Sequence, residues 1–161
     1  MLTTLLLTPI ALLATTASAI GSARVNNKCT SNVYVWPVGT NITGPYALSG
    51  TVGYYAESFH VDPNTGGRAL KISSRPDGLY TPGTPQTIFA YNLDVGANQV
   101  WFDLSNVFGN NPAFVGKKIT VKSADPACTQ EIVWPAGVPP GGSQVRVCGA
   151  GSNVVLTLCA P

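Results

Sequence analysis

Charge is scarce in this sequence: Asp, Glu, Lys and Arg make up only 10% of its 161 residues, against about 25% in an ordinary soluble domain. Nine Lys and Arg against seven Asp and Glu leave a net charge of +2. So thin and balanced a distribution does not build the basic stripe that grips nucleic acid or an anionic bilayer, and neither is expected as a partner. Lys117, Lys118 and Lys122 do cluster in "GKKITVKS", which reads as one solvated strand face. Histidine is scarcer still, with His60 alone. One imidazole rarely suffices for a transition metal, and no Gly-x-Ser-x-Gly elbow is present, so no metal, cofactor or serine triad is expected. Helical periodicity is missing too; "FDLSNVFG" has room for a single turn.

Long apolar runs are confined to the start. "MLTTLLLTPIALLATTASA" carries an apolar stretch from Leu5 to Ala14 and ends in Ala17-Ser18-Ala19. That is a short hydrophobic region followed by an A-x-A cleavage signature, although no Lys or Arg precedes it. The run is too short to cross about 30 Å of hydrocarbon. Residues 1–19 are therefore expected to be a signal peptide and residues 20–161 a single secreted domain, with no membrane insertion. The mature domain is long enough to bury a core.

Cys29, Cys128, Cys148 and Cys159 are the only cysteines. An even number in a secreted chain reads as two disulfides whose pairing the sequence leaves open. Zinc sites pair cysteines at much closer spacing than occurs here. Asn41-Ile42-Thr43 is the sole N-glycosylation sequon, set in the turn-forming "VGTNITGP".

What is abundant is Val, Thr, Tyr, Gly and Pro, the profile of an all-β domain. "ARVNN", "NVYVWPV", "RALKISSR", "QTIFAYNL", "QVWFDL", "KKITVKS", "SQVRVC" and "NVVLTLC" alternate as strands do. "DPNTGG", "RPDG", "TPGTPQ", "DVGAN", "FGNNP" and "VPPGG" separate them with turn residues. The segment from Pro76 to Pro85 reads as a long loop rather than a domain linker, because strand signals resume on both sides.

Several of these segments together resemble the thaumatin-like proteins. "RVNNKCTSNVYVWPVG" is similar to that family's first hairpin, and "NVVLTLC" to its closing strand. "TIFAYNL" followed by "VWFDLSNVFGNNPAFV" is similar to its central block, Thr-x-x-Glu-Phe and then Asp-x-Ser-x-x-x-Gly-Phe-Asn-x-Pro. "GGRALKIS", "PDGLY", "QTIFAYNLD", "VWFDLS" and "IVWPAGVPPGGSQVRVC" resemble more closely a small fungal branch, the yeast-phase-specific secreted proteins first described in Blastomyces. The resemblance implies a thaumatin-like antiparallel β-sandwich, with Cys29 bonded to Cys159 and Cys128 to Cys148.

It also directs attention to Asp103. Glucan-binding relatives place a Glu and an Asp in an acidic cleft. Asp103 fills the Asp position, but the Glu position falls on Ala90, whose methyl group transfers no proton. Glycoside hydrolysis needs two carboxyl groups, about 5–9.5 Å apart. Asp94, four residues beyond Ala90, returns to the same strand face about 13 Å away, and Glu57 in "YYAESF" is a further candidate. Asp62 and Asp77 sit in turns and read as caps. The simpler role for Asp103 is an Asx-type turn accepting N–H groups of Ser105 to Val107.

Trp36 and Trp101 read as core, while Trp134, in the Pro-stiffened segment closed by Cys128 and Cys148, is a candidate sugar or protein platform. Tyr46, Tyr54, Tyr55 and Tyr80, in loop-like sequence, are candidates to line a groove. Together with the resemblance, which implies a fungal source, the sequence points to an extracellular, monomeric, non-enzymatic protein binding cell-wall polysaccharide or a host surface protein, as an effector or virulence factor. A weak β-1,3-glucanase using Asp103 and an antimicrobial protein are the alternatives; the small charge and missing amphipathic helix oppose the last.

Overall fold

A computed structural model describes residues 19–161, so the expected signal peptide lies, but for its last residue, outside the described residues. The described chain forms eleven strands and no helix. In order they are β1 (Ser22–Asn27), β2 (Val33–Val38), β3 (Tyr46–Leu48), β4 (Tyr54–Ser58), β5 (Gly67–Ser73), β6 (Gln86–Asp94), β7 (Gln99–Val107), β8 (Ile119–Ser123), β9 (Glu131–Trp134), β10 (Val145–Gly149) and β11 (Val154–Leu158). They build two sheets, ordered β4-β1-β11-β8-β9 and β10-β7-β6-β5-β2-β3. Every pairing is antiparallel except β1 with β11, which is parallel. The expected β-sandwich is what the chain adopts.

Strand alternation explains which side of each sheet is dry. On β6, Phe89, Tyr91 and Leu93 are buried; on β7, Val100, Phe102 and Leu104 are. These join Val25, Val121, Ile132, Trp134, Leu156 and others in one core between the sheets. A slip of one residue in the β6–β7 register would turn all six outward, so the core itself fixes the pairing. Truncating Phe89 or Phe102 to Ala would cost about 3–5 kcal/mol.

Two short strands and one expected turn depart from the sequence reading. Tyr46 lies on β3, and Tyr54 and Tyr55 on β4, rather than in loops. β4 survives at a sheet edge by pairing with β1 across Ser22 to Asn26. "FDLSNVFG" holds no helical turn: β7 runs through Val107, and the chain reverses at Phe108 and Gly109, both at positive φ. The Pro-rich segment 74–85 joins β5 to β6, which pair directly, as expected of a loop. Gln86 Nε2 donates to the Gly78 carbonyl at 3.2 Å, seating the loop on the sheet.

Both disulfides form as the family resemblance implied, Cys29 to Cys159 and Cys128 to Cys148. The first follows from the parallel pair: β1 and β11 run side by side, so the residues just beyond their ends meet. The second joins the segment before β9, in one sheet, to β10, in the other. Loops of 130 and 20 residues are closed, removing roughly 4–5 and about 3 kcal/mol of unfolded-chain freedom in the entropy account.

Candidate functional site

The outer face of the six-stranded sheet carries the site. Register sets Val38, Ala69, Ala90, Asp103 and Val145 abreast on five successive strands. One pleat away, Gly67, Asn92 and Trp101 form the next row. Glycine and alanine leave the middle of the sheet nearly bare, while Val38, Trp101 and Val145 rise at its sides. The result is a groove of about 400 Å³, also walled by Gly39 and Thr65. Its lining is mainly apolar, with a few polar groups, as small-ligand sites commonly are.

Asp103 is the one acid among its lining residues. It stands mid-strand opposite Ala90 rather than capping a turn at Ser105 to Val107, because β7 continues in ladder with β6 through those residues. Burial pushes its carboxyl above the usual range, with no opposing charge or hydrogen bond. Trp101 corrects a second expectation: it is 45% exposed rather than in the core. Its position was readable, since Trp101 and Asp103 are two residues apart on one strand and must share a face. A carboxylate without a partner seeks water, and that identifies the face.

The other candidates lie elsewhere. Trp134 is fully buried in the core and its Nε1 donates to Gln144 Oε1 at 2.8 Å, so it offers no platform. Ile132 and Trp134, two residues apart on β9, share its inward face, which is the reason. Trp36 is buried as expected, but by strand parity on the outer face opposite Lys71. Tyr46 and Tyr55 stack on each other at 4.9 Å, Arg24 covers the Tyr54 ring at 4.3 Å, and Tyr80 projects from loop 74–85 at 68% exposure. None of the four lines the groove.

Nor do the alternative acids. Asp94 ends β6 and its Oδ1 accepts the Ala97 N–H at 2.9 Å, capping the hairpin turn. Glu57 accepts hydrogen bonds from Tyr91 at 2.7 Å and Tyr55 at 2.8 Å, and pairs with Arg68 at 3.3 Å. Burial opposes its ionisation, yet the bonds from Arg68, Tyr91 and Tyr55 outweigh it and hold the carboxyl below its ordinary range. Arg68 reaches Asp62 as well, at 3.6 Å. Asp62 accepts from the Thr40 hydroxyl and N–H and from the N–H groups of Asn64 and Thr65, which keep it strongly acidic. This polar knot fixes the two loops that wall the groove. His60 is exposed beside it, its Nδ1 2.9 Å from the Ser58 carbonyl and 3.3 Å from the Tyr91 hydroxyl. No group of three potential metal ligands occurs among the described residues.

Comparison with known proteins agrees with this architecture. The family model described as Blastomyces yeast-phase-specific protein matches residues 10–160. An antigenic thaumatin-like protein of Arthroderma benhamiae is 26% identical over 134 residues, which are 83% of this chain and 60% of that protein. The chain thus spans less than two thirds of that relative's length. The crystal structure of the protein elicitor MoHrip2 from Magnaporthe oryzae superposes with a TM-score of 0.66 at 23% identity, covering 87% of this chain and 99% of that one.

Proposed function

Because the chain belongs to the Blastomyces yeast-phase-specific protein family, we propose that it is an extracellular, non-enzymatic protein that binds cell-wall glycan in the groove of its six-stranded sheet. The observation that carries this reading is the pairing of an exposed indole, Trp101, with a half-buried acid, Asp103, over a floor of Gly67, Ala69 and Ala90. An indole face suits the apolar face of a sugar ring. Asp103, Asn92 and Thr65 would take its hydroxyls, and the small floor residues let the ring approach the sheet.

Two disulfides favour an oxidising compartment, and the leader-like residues 1–19 favour export. Contact with a host surface, as an effector or virulence factor, is the extension that the antigenic and elicitor relatives suggest. Hydrolysis is the second reading, favoured by one observation, the raised carboxyl of Asp103. A lone acid can protonate a leaving oxygen, but nothing in the groove would activate water on the other side of the scissile bond.

Depletion from solution by insoluble β-1,3-glucan, chitin and cellulose tests both readings, with reducing sugar followed in the supernatant. Depletion without sugar release is expected for at least one polymer. Trp101→Ala should weaken it about tenfold, from the lost aromatic contact and its buried area. Sugar release abolished in Asp103→Asn would establish the hydrolase instead. No depletion on any polymer would sink the glycan reading and leave a host protein as the partner.

A further inference from the structure

Val38 and Gly39 form one wall of the groove, and the chain turns immediately beyond them. The Asn41 carbonyl accepts the Gly39 N–H at 3.1 Å, the Pro37 carbonyl accepts the Thr43 N–H at 3.1 Å, and an isolated bridge sets Ile42 opposite Val38. The turn is held from the other side as well. Asp62 accepts the Thr40 N–H at 2.8 Å and, through its other oxygen, the Thr65 N–H at 3.0 Å. Thr65 is itself a wall residue. A turn fastened at both shoulders cannot swing away from the groove, yet Asn41, Ile42 and Thr43 are all exposed.

We propose that Asn41 carries an N-linked glycan and that this glycan overhangs the groove as a third, mobile wall. The Asn41-Ile42-Thr43 sequon supplies the acceptor chemistry. Asn41 Nδ2 bonds to the anomeric carbon of a polyprenyl-pyrophosphate-linked oligosaccharide and loses a proton. The anomeric carbon–oxygen bond to pyrophosphate breaks, and the lipid pyrophosphate leaves. A bulky, hydrated glycan rooted two residues from Gly39 extends well past the turn that bears it. Its inner sugars then pass over Val38 toward Asn92 and Trp101, so the protein's own glycan controls what reaches the indole. The inference rests on the extracellular reading for its chemistry, and not on the identity of the groove's ligand.

The test is the isotope-labelled chain exported from a yeast host behind a heterologous leader, so that the outcome does not depend on residues 1–19. Mass before and after endoglycosidase trimming reads occupancy. Chemical shifts of the Trp101 indole, the Asn92 side-chain amide and Thr65 read contact. We expect a mass loss on trimming and movement of all three signals, with Tyr80, which does not line the groove, unmoved. Thr43→Ala, which removes the sequon while keeping Asn41 and so carries no sugar at all, should move the same three signals in the same direction as trimming, which leaves one sugar on Asn41. A chain without glycan, or a glycosylated chain whose shifts on trimming stay within residues 40–43, would overturn the proposal. Binding to wall polymers is not a readout, so a failed glycan-binding reading leaves this result intact.

Discussion

Asp103 is the residue whose charge works against the fold. Its carboxyl titrates above the ordinary range because burial penalises the anion. Between its unfolded value, about 3.9, and its raised folded value, the native state therefore holds the extra proton. Stability falls as pH rises through that window and stays lower above it. Asp103→Asn is expected to raise the melting temperature at pH 7, with the gain fading near pH 3, as thermal unfolding across that range would show. Glu57 has the opposite sign: its depressed folded value lends stability that is full above about 4.3 and is lost as pH falls through the folded value. Arg68→Ala, which strips Glu57 and Asp62 of their shared cation, should cost on the order of 3 kcal/mol, measured by denaturant unfolding at pH 7. The raised carboxyl belongs to the groove and the depressed ones to its supports.

Among the strands, length decided what could be read. β6 and β7, nine residues each, alternate long enough to betray both strand and face. β3 with three residues, β9 with four and the half-exposed edge strand β4 carry too little pattern of their own. Their partners β2, β8 and β1 supply the pairing that makes them strands. Trp134, on four-residue β9, is obscured for the same reason, whereas Trp101 on β7 shares the face of Asp103 and was open to reading from that acid. Asp103 was legible as a special residue, but the bare row of Ala69 and Ala90 beside it exists only once three strands are aligned. Turns carry their own demands. Gly137 follows β9 at φ 69°, and a Cβ there would strike the Phe114 carbonyl oxygen. Gly137→Ala should therefore cost about 1–3 kcal/mol, against near neutrality for the same change at Gly141, which is open and not at positive φ; thermal melts of the two variants make the comparison.

At the scale of the whole molecule the two sheets are held by one core and one covalent tie between them. Replacing Cys128 and Cys148 with Ala should lower stability by roughly 3 kcal/mol, while leaving the β1–β11 ladder in place, as hydrogen exchange at Val25 and Leu156 would report. Losing the pair Cys29 and Cys159 should cost more, because the loop it closes is far longer. The sandwich was legible from turn spacing and alternation, and the pairing of cysteines from the family resemblance. The groove was not, because it is made by the absence of side chains, and an absence has no sequence signature until its neighbours are known.

The tie between Cys29 and Cys159 also decides how the molecule bears load. A pull applied at Ile20 and Pro161 passes along β1, crosses the sulfur bridge and leaves through the last residues. The 130-residue span between the two cysteines is bypassed and carries almost none of the tension. Loaded at its two ends, this protein would keep its groove in shape while only its first strand peels.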